Sequence, residues 1–228
     1  VYVDELVVED HLFICRSLYP SIPEPLLSKL VNFNKRLYED TMIHHKFGRS
    51  GYPWEFNLRD IIRSCQMIEG APESSKSDCF LNTVYVQRMR SSTDRQEVTK
   101  LYEEEFGVKP LINLYPRVQL NPEYLIIGNT HVKRNILQSS TISSCELKIL
   151  PGQRQSLETI AQCLHHQWLV LLIGPAASGK TSLIRLMSQL TGNVLNELSL
   201  SSATDISELL GCFEQYNAIR HYRLAIDQ

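Results

Sequence analysis

The chain has six cysteines but no C-x-x-C pair. Cys15, Cys65, Cys79, Cys145, Cys163 and Cys212 stand far apart, in a spacing that matches no zinc site and no disulfide framework. Reduced thiols of an intracellular protein are the expectation. Histidine offers no metal site either. His44-His45 and His165-His166 are sequence neighbours, and neighbours on a helix point in different directions, so they read as surface or cap residues. No uninterrupted apolar run is long enough to span a bilayer. Asp4, Glu5, Glu9 and Asp10 stand where a secretory leader needs a basic start, so no leader is expected. An excess of one charge is also missing. The 23 basic and 25 acidic residues leave a formal net charge of −2, which gives no global attraction to nucleic acid or anionic membrane. No internal repeat is found. What is present is 228 residues at 43% hydrophobic and 21% charged, enough for one or two globular cores.

One motif carries chemistry. Gly174-Pro175-Ala176-Ala177-Ser178-Gly179-Lys180-Thr181, followed by Ser182, has the form G-x-x-x-x-G-K-[ST] of a phosphate-binding loop. Trp168–Ile173 before it is an apolar run of buried-strand length, and Ser182–Met187 after it has helical period. A loop between strand and helix aims several backbone N–H groups at one point. The positive end of the helix dipole adds to the attraction for a polyanion. Two glycines keep that backbone clear of side chains. Lys180 is placed to reach β- and γ-phosphates, and the Thr181 hydroxyl to ligate Mg²⁺. The expected cofactors are therefore ATP and Mg²⁺, held by Gly174 to Ser182.

The motif lies in the last quarter of the chain. No strand ending in Asp or Asp-Glu follows Thr181, and Asp205 and Glu208 fall in a predicted helix beyond the next strand, Val194–Leu200. Without an acid to hold Mg²⁺ and orient water, phosphoryl transfer is slow. The expectation is a nucleotide-binding domain that starts in this chain and is not finished in it.

The residues before the motif read as helices. Glu9–Leu18 presents Leu12, Ile14, Cys15 and Leu18 and stops at Pro20. Pro23 and Pro25 start a long helix toward His45, with Leu26, Leu27, Leu30, Val31, Phe33, Asn34 and Leu37 at helical spacing. Asn57-Leu58-Arg59-Asp60 reads as a capping box, followed by Ile61, Ile62, Cys65 and Ile68 as a buried face and Gly70 as a stop. Residues 71–78 are a polar linker. Helices are expected near 80–90 and 93–106, with Gly107 ending the second. Strand-like pieces at Arg117–Leu120 and Tyr124–Ile127, a second linker at Gln138–Ser144 and a helix at Gln153–His166 complete the pattern.

Three segments resemble midasins, the dynein-related AAA+ ATPases of large ribosomal subunit assembly. Trp54-Glu55-Phe56-Asn57-Leu58-Arg59-Asp60 is similar to the start of that family's lid helix. Gly174–Thr181 with its strand is the second segment. Ser201–Gln215 resembles the segment after the family's second strand, with Cys212 where a glycine is common. Val1–Leu6 also fits the sequence just past a module's arginine-finger region. The resemblance implies an α/β P-loop AAA+ arrangement in three parts. Residues 1–70 would be the helical lid of one module and 71–146 a connector of helices and short strands. Residues 147–228 would open the parallel αβα sheet of the next module.

The resemblance further assigns Arg59 as sensor 2 of the preceding module's site, where a guanidinium in a helix's first turn can bridge to a γ-phosphate. Lys180 and Thr181 would serve a different nucleotide, that of the following module. The implied partners are neighbouring AAA+ modules of the same chain, and pre-60S ribosomal particles with their assembly factors. No membrane and no sequence-specific nucleic acid is expected. The implied location is the nucleus, nucleolus and nucleoplasm. Two other readings are compatible with the motif: a complete small nucleotide kinase, and a non-catalytic interaction module that nucleotide stabilises. In the latter, Arg88, Arg90, Arg95 and the Glu103–Glu105 run would dock partners.

Overall fold

Two prolines decide where the second helix begins. α1 (Val8–Leu18) ends two residues short of Pro20, and α2 (Glu24–Tyr38) starts from Pro23 as its N-cap with Pro25 in its first turn. A proline costs nothing there, because the first N–H groups of a helix have no intrahelical acceptor. The computed structural model describes residues 6–72, 75–135, 148–201, 204, 205, 207 and 211. The linker at 138–144, Cys145, Glu208 and Cys212 lie outside the described residues, as does most of Ser201–Gln215.

α2 does not run on as an α-helix toward His45. Its last turn widens into a π-helical turn, Glu39–Ile43, whose Thr41 hydroxyl donates to the Leu37 carbonyl at 2.8 Å. α3 (Leu58–Gly70) starts from Asn57 in the expected way. The Asn57 side chain accepts the Arg59 N–H at 3.0 Å, and Asp60 Oδ2 accepts the Asn57 N–H at 3.4 Å. Gly70 is not the stop that its identity suggests: it lies inside the last turn, and Ala71, in extended conformation, ends the helix.

The expected helix over 80–90 is instead a π-helical turn (Leu81–Tyr85) followed by a 3₁₀ turn (Val86–Arg88). Phe80, Leu81, Val84, Tyr85, Val86 and Met89 are all buried, more consecutive side chains than one α-helical face can turn inward. α4 (Ser92–Phe106) is capped by the Ser91 hydroxyl, which accepts the Asp94 N–H at 3.0 Å, and Gly107 (φ 75°) closes it in the left-handed conformation. These helices share one core built around aromatic rings. Phe33 meets Tyr85 edge-on at 5.0 Å, and Tyr102 stacks on Phe106 at 4.3 Å. The Tyr85 hydroxyl, fully buried, donates to Asn34 Oδ1 at 3.0 Å.

The two expected strand pieces form β1 (Val118–Leu120) and β2 (Tyr124–Ile127), and a third strand, β3 (Thr130–Lys133), joins them. The sheet is antiparallel in the order β1-β2-β3, with Leu125 opposite Val132 and Ile127 opposite Thr130. β3 was not among the expected strands, although Gly128-Asn129 is a two-residue hairpin signal. Gly128 (φ 58°) takes the left-handed turn position, and the Glu158 carboxylate lies where a β-carbon on it would be.

α5 (Arg154–His165) and α6 (Lys180–Thr191) pack on this sheet. Leu125, Ile127 and Val132 share a second core with Leu157, Ile160 and Ala161 of α5 and with Leu183, Leu186 and Met187 of α6. It is the one sheet among the described residues. Residues 168–173 and 194–200 carry no regular secondary structure and pair with no strand there. The first of these still alternates as a strand does. Val170 and Leu172 pack against the second core, while Leu169 (95%), Leu171 (81%) and Ile173 (61%) face outward. One face is covered, not the two expected of a buried strand. In the separate unit that begins at Val194, Val194, Leu198 and Leu200 are exposed. No described helix is long and apolar enough to cross a membrane.

Candidate functional site

The phosphate-binding motif folds as its residues dictate. Residues 174–179 form a loop between residues 168–173 and α6, and Gly179 is the N-cap of that helix in the left-handed conformation (φ 83°). Ala177 also has a positive φ, 61°. Alternating signs of φ are the backbone form that turns successive N–H groups toward one point, a form suited to an anion. The Leu183 N–H bonds to the Gly179 carbonyl at 2.9 Å, so the helix is wound from its first residue.

Lys180 folds back over this loop. Its ammonium donates to the carbonyls of Gly174 (2.9 Å) and Pro175 (2.7 Å) and lies 3.3 Å from the Ser178 hydroxyl. The cation therefore sits at the loop's centre, held by groups that a phosphate oxygen can replace. Thr181 and Ser182, in the first turn of α6, are exposed. Among the described residues no group of three acidic, histidine or cysteine side chains is placed to hold a metal.

The far end of α6 is tied to the sheet. Arg134, just after β3, donates from Nε to the Leu190 carbonyl at 2.8 Å and from Nη1 to the Asn121 carbonyl at 2.9 Å. The Asn135 N–H bonds to the Thr191 carbonyl at 2.8 Å. A guanidinium at a helix C-terminus satisfies carbonyls that lack intrahelical donors and faces the negative end of the dipole. Sequence reading gave Arg134 no role, and its partners lie 56 and 13 residues away.

Arg59 lies in another place. It is exposed in the first turn of α3, and its guanidinium makes no hydrogen bond or ion pair among the described residues. The rest of its motif is structural. Trp54 Nε1 donates to the Gly48 carbonyl at 2.6 Å, Phe56 is buried, and Asp60 is buried and accepts from Arg88 Nη1 at 2.9 Å. The Arg88 guanidinium carbon also lies 4.8 Å above the Phe56 ring. The residues around Arg59 therefore hold the start of α3 while leaving its guanidinium outward.

One junction joins α3 to the segment leading into the loop. Gln167 (φ 57°) breaks α5 with a left-handed residue, and the Trp168 N–H then bonds back to the Cys163 carbonyl at 2.8 Å. The indole lands on α3. Its Nε1 donates to Gln66 Oε1 at 3.2 Å, Arg63 lies over the ring at 5.5 Å, and His166 stacks on it at 4.7 Å. Trp168 thus packs on the helical core, while Val170 packs on the second core. Burial, and then the neighbouring His165, lower the pKa of His166. His165 Nδ1 bonds to the His131 carbonyl at 2.9 Å, and His45 Nδ1 to the Thr41 carbonyl at 3.2 Å.

The chain is similar to midasins along most of its length. A family model described as the Midasin AAA lid domain matches residues 10–109. Midasin of Dictyostelium discoideum is 37% identical over 248 residues, an alignment that covers 99% of this chain and 4% of that protein. Midasin of Giardia intestinalis is 26% identical over 240 residues, covering 96% of this chain and 5% of that protein. The chain therefore spans a small fraction of the length of the relatives it matches.

Proposed function

We propose that the chain serves a midasin-like AAA+ ATPase as a lid with Arg59 as sensor 2 and as a Walker A half-site for the following module; the match of residues 10–109 to the Midasin AAA lid domain and the 37% identity to a midasin support this reading. The observation that carries the reading is the loop geometry. Gly174–Gly179 curls at the start of α6 with the Lys180 ammonium bonded at its centre. That arrangement neutralises and orients a polyphosphate.

Mg²⁺–ATP supplies the phosphoanhydride bond and the counter-charge. This chain's residues bind and orient it. Backbone N–H groups of 176–181 would hold the phosphates, Lys180 would exchange its two carbonyl partners for phosphate oxygens, and Thr181 would offer its hydroxyl to the metal. The outward face of Leu169, Leu171 and Ile173 is where further strands of an αβα sheet would pack. Arg59 projects away from the helical core, free to answer a nucleotide bound by the preceding module. In the whole protein, binding and hydrolysis at successive modules would remove assembly factors from pre-60S particles in the nucleus.

Mg²⁺–ATP binding and turnover by the chain, beside Lys180→Ala, test this reading. Binding that depends on Lys180, without turnover, is expected. Turnover that depends on Lys180 would instead make the chain a complete small NTPase.

A further inference from the structure

The phosphate loop is held from outside by a residue that no motif includes. The 3₁₀ turn Pro151–Gln153 leads directly into α5, and the Gln153 N–H bonds to the Leu150 carbonyl at 3.0 Å. Gln153 Nε2 donates to the Ser178 carbonyl at 3.2 Å. The same nitrogen lies 2.7 Å from where a β-carbon on Gly179 would stand. The carboxamide therefore occupies the outer side of the Ser178–Gly179 peptide, in space that the glycine leaves open.

We propose that Gln153 is the positioning residue of the phosphate loop, fixing the Ser178–Gly179 peptide so that the Gly179 N–H faces the bound phosphates. The argument rests on the nucleotide reading above and on peptide geometry. A trans peptide is planar, with C=O and N–H on opposite sides. Drawing the Ser178 carbonyl outward to Gln153 turns the Gly179 N–H inward, toward the concavity that Lys180 fills. Gly179 has a positive φ, and the residue before the helix has no intrahelical acceptor for its N–H. Without an outer anchor the peptide is free to rotate, and the anion would bear the cost of ordering it.

The anchor itself is well fixed. α5 and α6 bury Leu157, Ile160, Leu183 and Leu186 in one core, so Gln153 at the head of one helix is held at a set distance from the loop at the head of the other. A positioning group on packed helices holds a loop more closely than one on a second loop. The donor must be the amide. Glutamate has the same length but cannot donate to a carbonyl, and it adds a negative charge beside the phosphates.

The test uses the chain and its Gln153→Ala, Gln153→Glu and Lys180→Ala variants. Mg²⁺–ATP affinity is measured by calorimetry at two salt concentrations, and amide hydrogen exchange of the loop is measured without nucleotide. Gln153→Ala is expected to bind about three- to tenfold more weakly, the scale of one neutral hydrogen bond. Gln153→Glu is expected to bind more weakly still, with the additional loss shrinking at high salt. A role confined to helix stability would not give that salt dependence. Both Gln153 variants should exchange faster at Leu183, whose N–H bonds to the Gly179 carbonyl at 2.9 Å. Wild-type affinity and exchange in Gln153→Ala would overturn the proposal. If the wild-type chain binds no Mg²⁺–ATP, the nucleotide reading fails, and the exchange data still decide whether Gln153 holds the loop.

Discussion

Arg63 lies over the indole of Trp168, its guanidinium carbon 5.5 Å from the ring centroid. Arg63 is one turn from Arg59 on α3, and Trp168 is the first residue of the segment that ends at the phosphate loop. The helix read as a sensor for one nucleotide is thereby packed against the path to another. Trp168→Leu removes the cation–π contact and leaves Gln66 without its donor. It is expected to destabilise the chain by about 1–3 kcal/mol. Denaturant unfolding should show this loss, and unchanged stability would mean that the junction is only a surface contact.

The same junction should respond to pH. Burial first, and then His165, hold the pKa of His166 below its ordinary 6.5. The folded chain thus takes up this proton less readily than the unfolded chain. The stabilisation is fully present above about pH 6.5 and is lost as pH falls from there toward the folded value. His166→Phe keeps a ring on Trp168 and cannot titrate. The melting temperature of wild type should fall more steeply than that of the variant between pH 7 and 5. Parallel profiles would contradict this.

Asp60 anchors the start of the lid helix. It is buried and answers both Arg88 and the Asn57 N–H. Asp60→Ala strips the cap of its reciprocal half and leaves Arg88 without its carboxylate. Because the Arg88 side chain is 31% exposed, part of its charge can return to water. A loss of about 2–3 kcal/mol is expected in denaturant unfolding. A loss below 0.5 kcal/mol would show that the pair is dispensable.

Gly179 has two reasons to be glycine. Its φ is 83°, and a β-carbon there would meet Gln153 Nε2 at 2.7 Å. Gly179→Ala should therefore weaken Mg²⁺–ATP binding at least tenfold while the helical core unfolds normally, because that core lies elsewhere. Calorimetry with circular dichroism separates the two effects. Retained affinity would mean that the loop's conformation is not the one that binds.

The parts legible in the sequence were those whose physics is local. The phosphate loop is readable because a backbone that must approach an anion imposes glycine and lysine at fixed spacing. Asn57 and Asp60 are readable because a capping box lies within four residues. α4 is readable from Ser91 and Gly107 at its ends. What escaped depends on partners distant in sequence. The 80–90 segment has helical composition, but the aromatic core rewinds it into π and 3₁₀ turns. Trp168 reads as a strand residue, yet Arg63 and Gln66 draw it onto the helical core. Arg134 and Gln153 hold the two ends of the α6 unit through single hydrogen bonds to carbonyls, which leave no pattern to read. β3 was missed despite Gly128-Asn129, because only four residues of alternation follow.

The measurement that bears most directly on the two-site account is Mg²⁺–ATP affinity of the chain in wild type, Lys180→Ala and Arg59→Ala. The account predicts that Lys180→Ala abolishes binding and that Arg59→Ala binds as wild type does, since Arg59 answers a nucleotide held by another module. Comparable weakening by both substitutions would contradict it and place Arg59 and Lys180 on one nucleotide.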